Sequence, residues 1–164
     1  MKPEIRLREI QAADLALFFA HQQDAEAAAM AAFTSGDAVT YAQHWANLLV
    51  DDTILKRTLV VDGQVAGNVV SFMRDGRREV GYWVDRAYWG RGIATEALSA
   101  FLCIEQMRPL YAGVAKDNFA SLRVLQKCGF TLSVDVDESS DGADASHILL
   151  TLPAGSSLSS PITS

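Results

Sequence analysis

Two Asp-Gly pairs, Asp62-Gly63 and Asp75-Gly76, restrict the possible folds more than any other feature of the sequence. They separate three segments rich in β-branched and aromatic residues, Leu55–Val61, Gln64–Arg74 and Arg77–Val84. Asp-Gly readily adopts the positive φ angles of a type I′ turn and is the strongest short-range signal for a β-hairpin. The sequence therefore predicts three consecutive antiparallel strands.

The hydrophobic period changes after the third strand, across Gly90-Arg91-Gly92. Residues 80–84 are apolar and aromatic, as in a buried strand, whereas apolar residues from Ile93 onward recur at three- and four-residue spacing. This spacing predicts a helix over residues 93–106, and residues 110–114 form the next short apolar segment. A strand, a helix and a strand in that order imply a crossover and a parallel pair. A sheet that begins antiparallel thus becomes mixed.

The remaining elements are predicted from helical spacing and from helix-breaking residues. They are a strand over residues 5–9, a helix carrying Leu15, Phe18 and Phe19, an alanine-rich helix over 25–32, a helix carrying Tyr41, Trp45, Leu48 and Leu49, a helix over 118–127 with Phe119, Leu122 and Leu125 facing inward, a strand starting at Phe130 and a closing strand over 146–152. Residues 1–152 are expected to form one domain, and residues 153–164, rich in Ser, Gly and Pro, a disordered tail.

Composition and charge argue against several classes of protein. The net charge of −6 argues against nucleic-acid binding, which depends largely on clustered Lys and Arg. No apolar run approaches the roughly 20 residues of a membrane span. Cys103 and Cys128 lack the spacing of a disulfide framework, and His21 and His44 lack that of metal ligands. We therefore expect a soluble, unexported, cytoplasmic protein without a metal, whose partner is an amine-bearing or cationic molecule.

The small residues Gly90, Gly92 and Ala94 allow the backbone of the turn to come close to a ligand. The first N–H groups of the following helix have no partners within it, so this helix start favours an anion, typically a phosphate. The turn alone fits a structural loop, a coenzyme site, or a dinucleotide site in which Asp117 binds a ribose. Against the dinucleotide site, Thr95 replaces the third glycine and the hairpins conflict with an all-parallel sheet.

The residues around the turn, Trp89-Gly-Arg-Gly-Ile-Ala-Thr-Glu-Ala97, resemble the cofactor-binding signature of the GNAT superfamily of N-acetyltransferases. That signature is Arg or Gln, two residues, Gly, one residue, then Gly or Ala; Gly92 and Ala94 fill its last two positions. Trp89 stands where the signature has Arg or Gln. The sequence Tyr88-Trp89-Gly90 is nevertheless similar to the branch of ribosomal-protein N-terminal acetyltransferases, in which Tyr-Trp-Gly is common. Residues 118–130 resemble the second family signature, an Asn and a Ser one helical turn apart followed by Lys-x-Gly-Phe. The resemblance extends over residues 5–152.

The resemblance implies an α/β (α+β) fold with a mixed, mostly antiparallel sheet of about seven strands, helices on both faces and a parallel pair at the cofactor cleft. It also implies acetyl transfer from acetyl-coenzyme A to a primary amine, by direct attack in a ternary complex. Main-chain N–H groups of the turn would bind the pyrophosphate: Gly90, Arg91, Gly92, Ile93, Ala94 and Thr95. The backbone of Trp83 and Val84 would pair with the pantetheine arm, with the Val84 N–H near the thioester oxygen. Asn118 and Ser121 would contact the pantetheine or the thiol.

The resemblance also suggests how protons move. Glu79 lies where many family members keep a glutamate that removes a proton from the amine, often through water. Leu125 stands where a tyrosine often protonates the leaving thiolate, so Ser121, Tyr82, Tyr111 or solvent would take that role. Two alternatives stay open: a non-catalytic module that binds acetyl-coenzyme A, and an NAD-dependent oxidoreductase.

The acceptor is the part of the function that the sequence does not identify. The family acetylates protein N-termini and small amines, and a fold does not choose among them. The helices within residues 12–51, with Phe33, Tyr41 and Trp45, are expected to shape the acceptor pocket. A monomer and a homodimer are both compatible with the resemblance.

Overall fold

The computed structural model describes residues 2–24, 38–115, 117–133 and 147–154. Its elements are β1 (Ile5–Arg8), α1 (Asp14–Gln22), α2 (Ala38–Val50), β2 (Leu55–Val61), β3 (Gln64–Arg74), β4 (Arg77–Val84), a 3₁₀ turn (Arg86–Tyr88), α3 (Ile93–Leu102), β5 (Leu110–Ala115), α4 (Phe119–Lys127), β6 (Thr131–Leu132) and β7 (His147–Leu152). The strands form one seven-stranded sheet in the order β1-β2-β3-β4-β5-β7-β6. Neighbouring strands are antiparallel except β4 and β5, which run parallel. The predicted mixed, mostly antiparallel α/β fold is confirmed.

Both Asp-Gly turns form as the sequence predicts. The φ angles are 50° and 82° at Asp62 and Gly63, and 51° and 79° at Asp75 and Gly76. Positive φ at both central residues is what a type I′ turn requires. The strands β2, β3 and β4 consequently have the bounds expected from the sequence.

Helices cover both faces of the sheet, and the alternation along β3 shows which helices cover which face. Val69 belongs to a core cluster with Leu98 of α3 and Leu125 of α4, whereas its neighbour Val70 packs against the cluster of Phe18 and Trp45. Adjacent residues of a strand point to opposite faces. Therefore α3 and α4 lie on one face, and α1 and α2 on the other.

Trp45 and Tyr41 are core residues. The Trp45 side chain is 4% exposed, and its ring centroid lies 5.2 Å from that of Phe18. Tyr41 is equally buried, with its ring 5.1 Å from that of Phe19. These contacts hold α1 against α2, and they correct the expectation that Tyr41 and Trp45 shape an acceptor pocket.

The helix α3 ends at Leu102, earlier than its apolar spacing predicts. The chain turns there and brings the carboxylate of Glu105 into the interior, where it accepts hydrogen bonds from Arg78 at 2.9 Å and from Ser71. Arg78 also donates to the carbonyl oxygen of Thr53 at 2.7 Å. This buried network joins β3 and β4 to the segment that leads into β5.

The prediction that Phe119 faces inward is wrong. Phe119 is 62% exposed at the first position of α4, whereas Leu125 is 1% exposed and lies in the core. A helix that packs on a sheet buries only one stripe of its surface. The stripe of α4 is centred on Leu125 and leaves Phe119 in solvent.

Some predicted features lie outside the described residues: the alanine-rich helix over 25–32, Phe33, and residues 155–164 of the tail. None of the helices within the described ranges has the length and hydropathy needed to cross a membrane. Among the same residues, no cluster of His, Cys, Asp and Glu side chains is arranged to hold a metal ion.

Candidate functional site

The strands β4 and β5 are separated by an opening in the sheet over most of their length. The two strands pair only where Arg78 faces Leu110 and Glu79 faces Tyr111. Beyond Glu79 they diverge, so residues 80–84 pair with β3 on one side and have no neighbour on the other among the described strands. Buried backbone N–H and C=O groups require partners. This edge of β4 is therefore suited to bind an extended ligand.

The hydrogen-bond alternation between β3 and β4 determines which backbone groups face the opening. The Asp85 N–H donates to a carbonyl oxygen of β3 at 2.7 Å, so the backbone of Trp83, two residues earlier, is also directed at β3. The backbone of Tyr82 and Val84 faces the opening. In agreement, the Val84 carbonyl oxygen accepts a hydrogen bond from the Trp89 indole at 2.9 Å. The backbone groups available to a ligand are thus those of Tyr82 and Val84 rather than those of Trp83.

The glycine turn places the start of α3 beside this opening. Gly90 and Gly92 have φ angles of 79° and 74°, in a region that costs L side chains about 1–2 kcal/mol. Gly92 is the N-cap of α3 and contributes no side-chain cap. The N–H groups of Ile93, Ala94 and Thr95 have no acceptor within the helix. Together with the positive end of the helix dipole, they form a site suited to an anion.

The opening and the turn form one cleft with a volume of about 410 Å³. It is lined by the following residues that the sequence assigned to cofactor binding: Trp83, Val84, Gly90, Gly92, Ile93, Ala94, Thr95, Asn118 and Ser121. Arg91 is exposed and does not line the cleft; its guanidinium lies over the ring of Tyr88, 5.7 Å from the centroid. The fold thus brings β4, the glycine turn and α4 together around one space.

Two cations that sequence reasoning missed also line this cleft. Arg123 and Lys127 lie four residues apart on α4, on the same side as Ala120 and Val124. Residues at three- and four-residue spacing share one face of a helix, and the four-residue spacing of these two basic residues within the predicted helix was a signal that could have identified them. In a chain with a net charge of −6, they make the cleft locally favourable to an anion.

Glu79 does not line the cleft. Its neighbour Val80 packs with α3 and α4, so Glu79 points to the opposite face of the sheet. Its carboxylate is buried and lies 3.9 Å from the guanidinium of Arg74. Burial raises the pKa of Glu79, and the charges of Arg74 and Arg77 oppose this only in part. Glu79 therefore holds a proton more strongly than an ordinary glutamate.

Open space lies beside Glu79 on this face. At Gly81, an added Cβ would have no atom within 4 Å among its surroundings in the described structure. Gly81 and Glu79 are two residues apart on β4, so both are directed to the same face. A small group can therefore approach the strand at Gly81, next to the Glu79 carboxylate.

A pair of hydroxyl groups connects β4 to α4 at the wall of the cleft. Tyr82 Oη and Ser121 Oγ lie 2.6 Å apart, and both residues line the cleft. Burial raises the pKa of Tyr82 to about 12, although the hydrogen bond with Ser121 acts in the opposite direction. The Ser121 N–H donates to Asn118 Oδ1 at 3.1 Å, which makes Asn118 the cap of α4. The cap and the hydroxyl pair together hold Ser121 in place.

Residues 4–131 match the family model of the acetyltransferase (GNAT) domain. No curated protein matches the chain at a significant level.

Solved structures with the same fold include three informative neighbours. An acetyltransferase from Agrobacterium tumefaciens has a TM-score of 0.75 at 16% identity, covering 92% of both chains. RimJ of Mycobacterium smegmatis, in complex with CoA-disulfide, has a TM-score of 0.70 at 23% identity, covering 92% of this chain and 82% of RimJ. An aminoglycoside acetyltransferase in complex with coenzyme A has a TM-score of 0.74 at 12% identity, covering 93% and 96%. At these identities the likeness establishes the fold.

Proposed function

Because the protein belongs to the GNAT acetyltransferase family, we propose that it transfers the acetyl group of acetyl-coenzyme A to a primary amine by direct attack in a ternary complex. Its family makes it an acetyl-coenzyme A-dependent acyltransferase. The observation that supports the acetyl-coenzyme A part of this proposal most directly is the position of the cleft. It runs along the free edge of β4, between the anion site of α3 and the Tyr82–Ser121 pair.

The residues of the cleft fit acetyl-coenzyme A. The N–H groups of Ile93, Ala94 and Thr95, continued by the backbone of the glycine turn, would bind the pyrophosphate. Arg123 and Lys127 would add positive charge beside it. Asn118 would contribute by capping α4 and so placing the helix face that lines the cleft.

The pantetheine arm would pair with the free edge of β4. We assign this pairing to the backbone of Tyr82 and Val84, which faces the opening, and we assign Trp83 to the wall of the cleft. The Val84 N–H would donate to the thioester oxygen, where negative charge develops as the amine attacks. Because β4 and β5 diverge before Val84, this N–H would be available to the ligand without loss of a hydrogen bond between the two strands.

Acetyl transfer also requires the amine to lose a proton and the leaving sulfur to be stabilised. We assign the first role to Glu79, because its raised pKa suits a general base. Glu79 would act through water, because it is buried outside the cleft. The amine would approach over the open space at Gly81. We assign the second role to Ser121, whose hydroxyl lines the cleft. The amine nitrogen forms the new bond to the acetyl carbon as the carbon–sulfur bond breaks.

We propose that the acceptor is a peptide amino terminus or a small amine. Proteins of this fold include RimL, an alpha-N-protein acetyltransferase of ribosomal L7/L12, and an aminoglycoside acetyltransferase, so the fold is compatible with both classes. The net charge of −6 favours a cationic acceptor. We further propose a cytoplasmic location for a single domain over residues 1–152, as a monomer or homodimer. The free Cys103 and Cys128 fit a reducing compartment.

Calorimetric titration with acetyl-coenzyme A, coenzyme A and NADH tests the donor. We expect binding of both coenzyme A forms and none of NADH, followed by thiol release when a panel of peptides and small amines is added. NADH binding that coenzyme A does not displace would favour an oxidoreductase. Tight acetyl-coenzyme A binding without turnover of any amine in a broad panel would favour a non-catalytic module.

A further inference from the structure

The hydroxyl of Tyr82 lines the cleft but has no role in the reaction assigned above. It lies 2.6 Å from Ser121 Oγ, and the Tyr82 side chain packs against the core clusters beneath α3 and α4. The question for catalysis is which of the two hydroxyl groups donates.

Two observations make Tyr82 the donor. In the described part of the chain, the hydroxyl of Tyr82 has Ser121 as its hydrogen-bond partner; if Ser121 donated, the Tyr82 hydrogen would have no acceptor there. A phenol is also the stronger donor, since it is more acidic than an aliphatic hydroxyl. With a pKa raised to about 12, Tyr82 keeps its hydrogen throughout the neutral range.

Donation by Tyr82 constrains the Ser121 hydroxyl. A serine oxygen has one hydrogen and two lone pairs, and Tyr82 occupies one of the lone pairs. The remaining hydrogen of Ser121 is then available to a group in the cleft. Leu125, also on α4, is apolar and buried in the core, and so it cannot supply a second donor.

We propose that Tyr82 is a positioning residue that directs the Ser121 hydroxyl at the sulfur of coenzyme A as the thiolate leaves. This proposal rests on the proposed function. When the carbon–sulfur bond breaks, its electron pair stays on sulfur, and the two hydrogen bonds in series stabilise the charge. No proton leaves Tyr82 or Ser121, and the sulfur takes its proton from solvent.

The test measures thiolate stabilisation without an acceptor amine. Coenzyme A and dethio-coenzyme A, which lacks the sulfur, are titrated calorimetrically at pH values on both sides of the ordinary thiol pKa of about 8.5. In the wild type, the affinity ratio between the two ligands should increase as the pH rises through this value. Tyr82→Phe keeps the packed ring. In this variant the rise of the affinity ratio with pH should be smaller by a factor of about three to ten, the contribution of one hydrogen bond.

Further variants separate positioning from general disruption of the cleft. Ser121→Ala should lose at least as much of the increase as Tyr82→Phe, and the double variant should behave as Ser121→Ala does, because Tyr82 acts only through Ser121. Tyr111→Phe is the matched control. Tyr111 lies outside the cleft lining, with its ring 5.4 Å from the Arg77 guanidinium, and its variant should match the wild type.

The possible results distinguish this proposal from the proposed function. A wild-type pH dependence of the affinity ratio in Tyr82→Phe would overturn the positioning role. The same conclusion would follow if the double variant lost the product of the two single-variant factors rather than the factor of Ser121→Ala alone. Failure of the wild-type protein to bind coenzyme A would instead overturn the proposed function. Once an acceptor amine is identified, Tyr82→Phe should lower kcat and leave the KM for acetyl-coenzyme A unchanged. A change confined to that KM would contradict positioning.

Discussion

Replacing Glu79 with glutamine tests the proton transfer on which the proposed reaction depends. Glu79→Gln preserves the size of a side chain that is 6% exposed and removes its ability to accept a proton. Glu79 does not line the cofactor cleft, so acetyl-coenzyme A should bind the variant with unchanged affinity. The effect should appear in the chemical step alone.

The expected magnitude follows from the position of Glu79. A positioned general base contributes roughly 10²- to 10⁴-fold to the rate. We expect a value near the lower limit, because Glu79 would act through water from outside the cleft. A decrease in kcat/KM of about 100-fold corresponds to about 2.7 kcal/mol of transition-state stabilisation.

The pH dependence of the rate tests the role of Glu79 independently. Since burial raises the pKa of Glu79, the wild-type rate should fall as the pH decreases through that raised value. In Glu79→Gln this limb should disappear. Arg74→Gln is the control: Arg74 is largely exposed and lies 3.9 Å from Glu79. Loss of its charge should raise the pKa of Glu79 further and move the limb to higher pH, with little change in the maximal rate.

The assay is thiol release from acetyl-coenzyme A with an amine found in the panel, accompanied by calorimetric titration of acetyl-coenzyme A. A near-normal rate of Glu79→Gln at every pH would remove Glu79 from the mechanism. Weakened acetyl-coenzyme A binding would show that the variant disturbs the cleft, contrary to the placement of Glu79 on the opposite face.

Three further substitutions test the scaffold. Gly92→Ala places an L side chain at a φ of 74°, so thermal unfolding should show a loss of about 1–2 kcal/mol, with weaker acetyl-coenzyme A binding; an unchanged Tm would refute the strain. Glu105→Gln leaves the buried Arg78 without its ion-pair partner and should cost about 3–5 kcal/mol in urea unfolding. Burial alone would raise the pKa of Glu105, but its hydrogen bonds hold it below the ordinary value; the wild type should thus lose this stability as the pH falls through the folded-state pKa, and the variant should not. Trp45→Ala should cost about 3–5 kcal/mol without changing either KM, because Trp45 packs on Phe18 in the core; a selective rise in the acceptor KM would return Trp45 to the acceptor pocket.

Local patterns in the sequence were sufficient for most of the sheet and for one side of the cleft. The Asp-Gly turns determine the bounds of β2, β3 and β4 because their φ angles are a property of two adjacent residues. Gly90 and Gly92 likewise predict where α3 begins and where its free N–H groups lie. These predictions depend only on residues close together in the chain.

Features that depend on contacts between distant segments could not be read from those patterns. Spacing alone placed Phe119 inside and extended α3 to residue 106, whereas packing of α4 exposes Phe119 and the Arg78–Glu105 pair accompanies the earlier end of α3. The same holds for Trp45, whose aromatic character suggested a pocket wall and whose position is in the core. Helical periodicity indicates which residues share a face, but not what that face meets.

The sequence by itself determined the hairpin turns, the succession of the described strands and helices along the chain, and the start of α3 with its free N–H groups, because each follows from local backbone preference. Only the tertiary structure decided that β4 and β5 separate after Glu79, and that Tyr82 and Val84 rather than Trp83 direct their backbone into the opening. It also decided that Tyr82 meets Ser121 across the cleft. These features arise from strand register and from the packing of α4 against the sheet, which bring together residues that no local pattern connects.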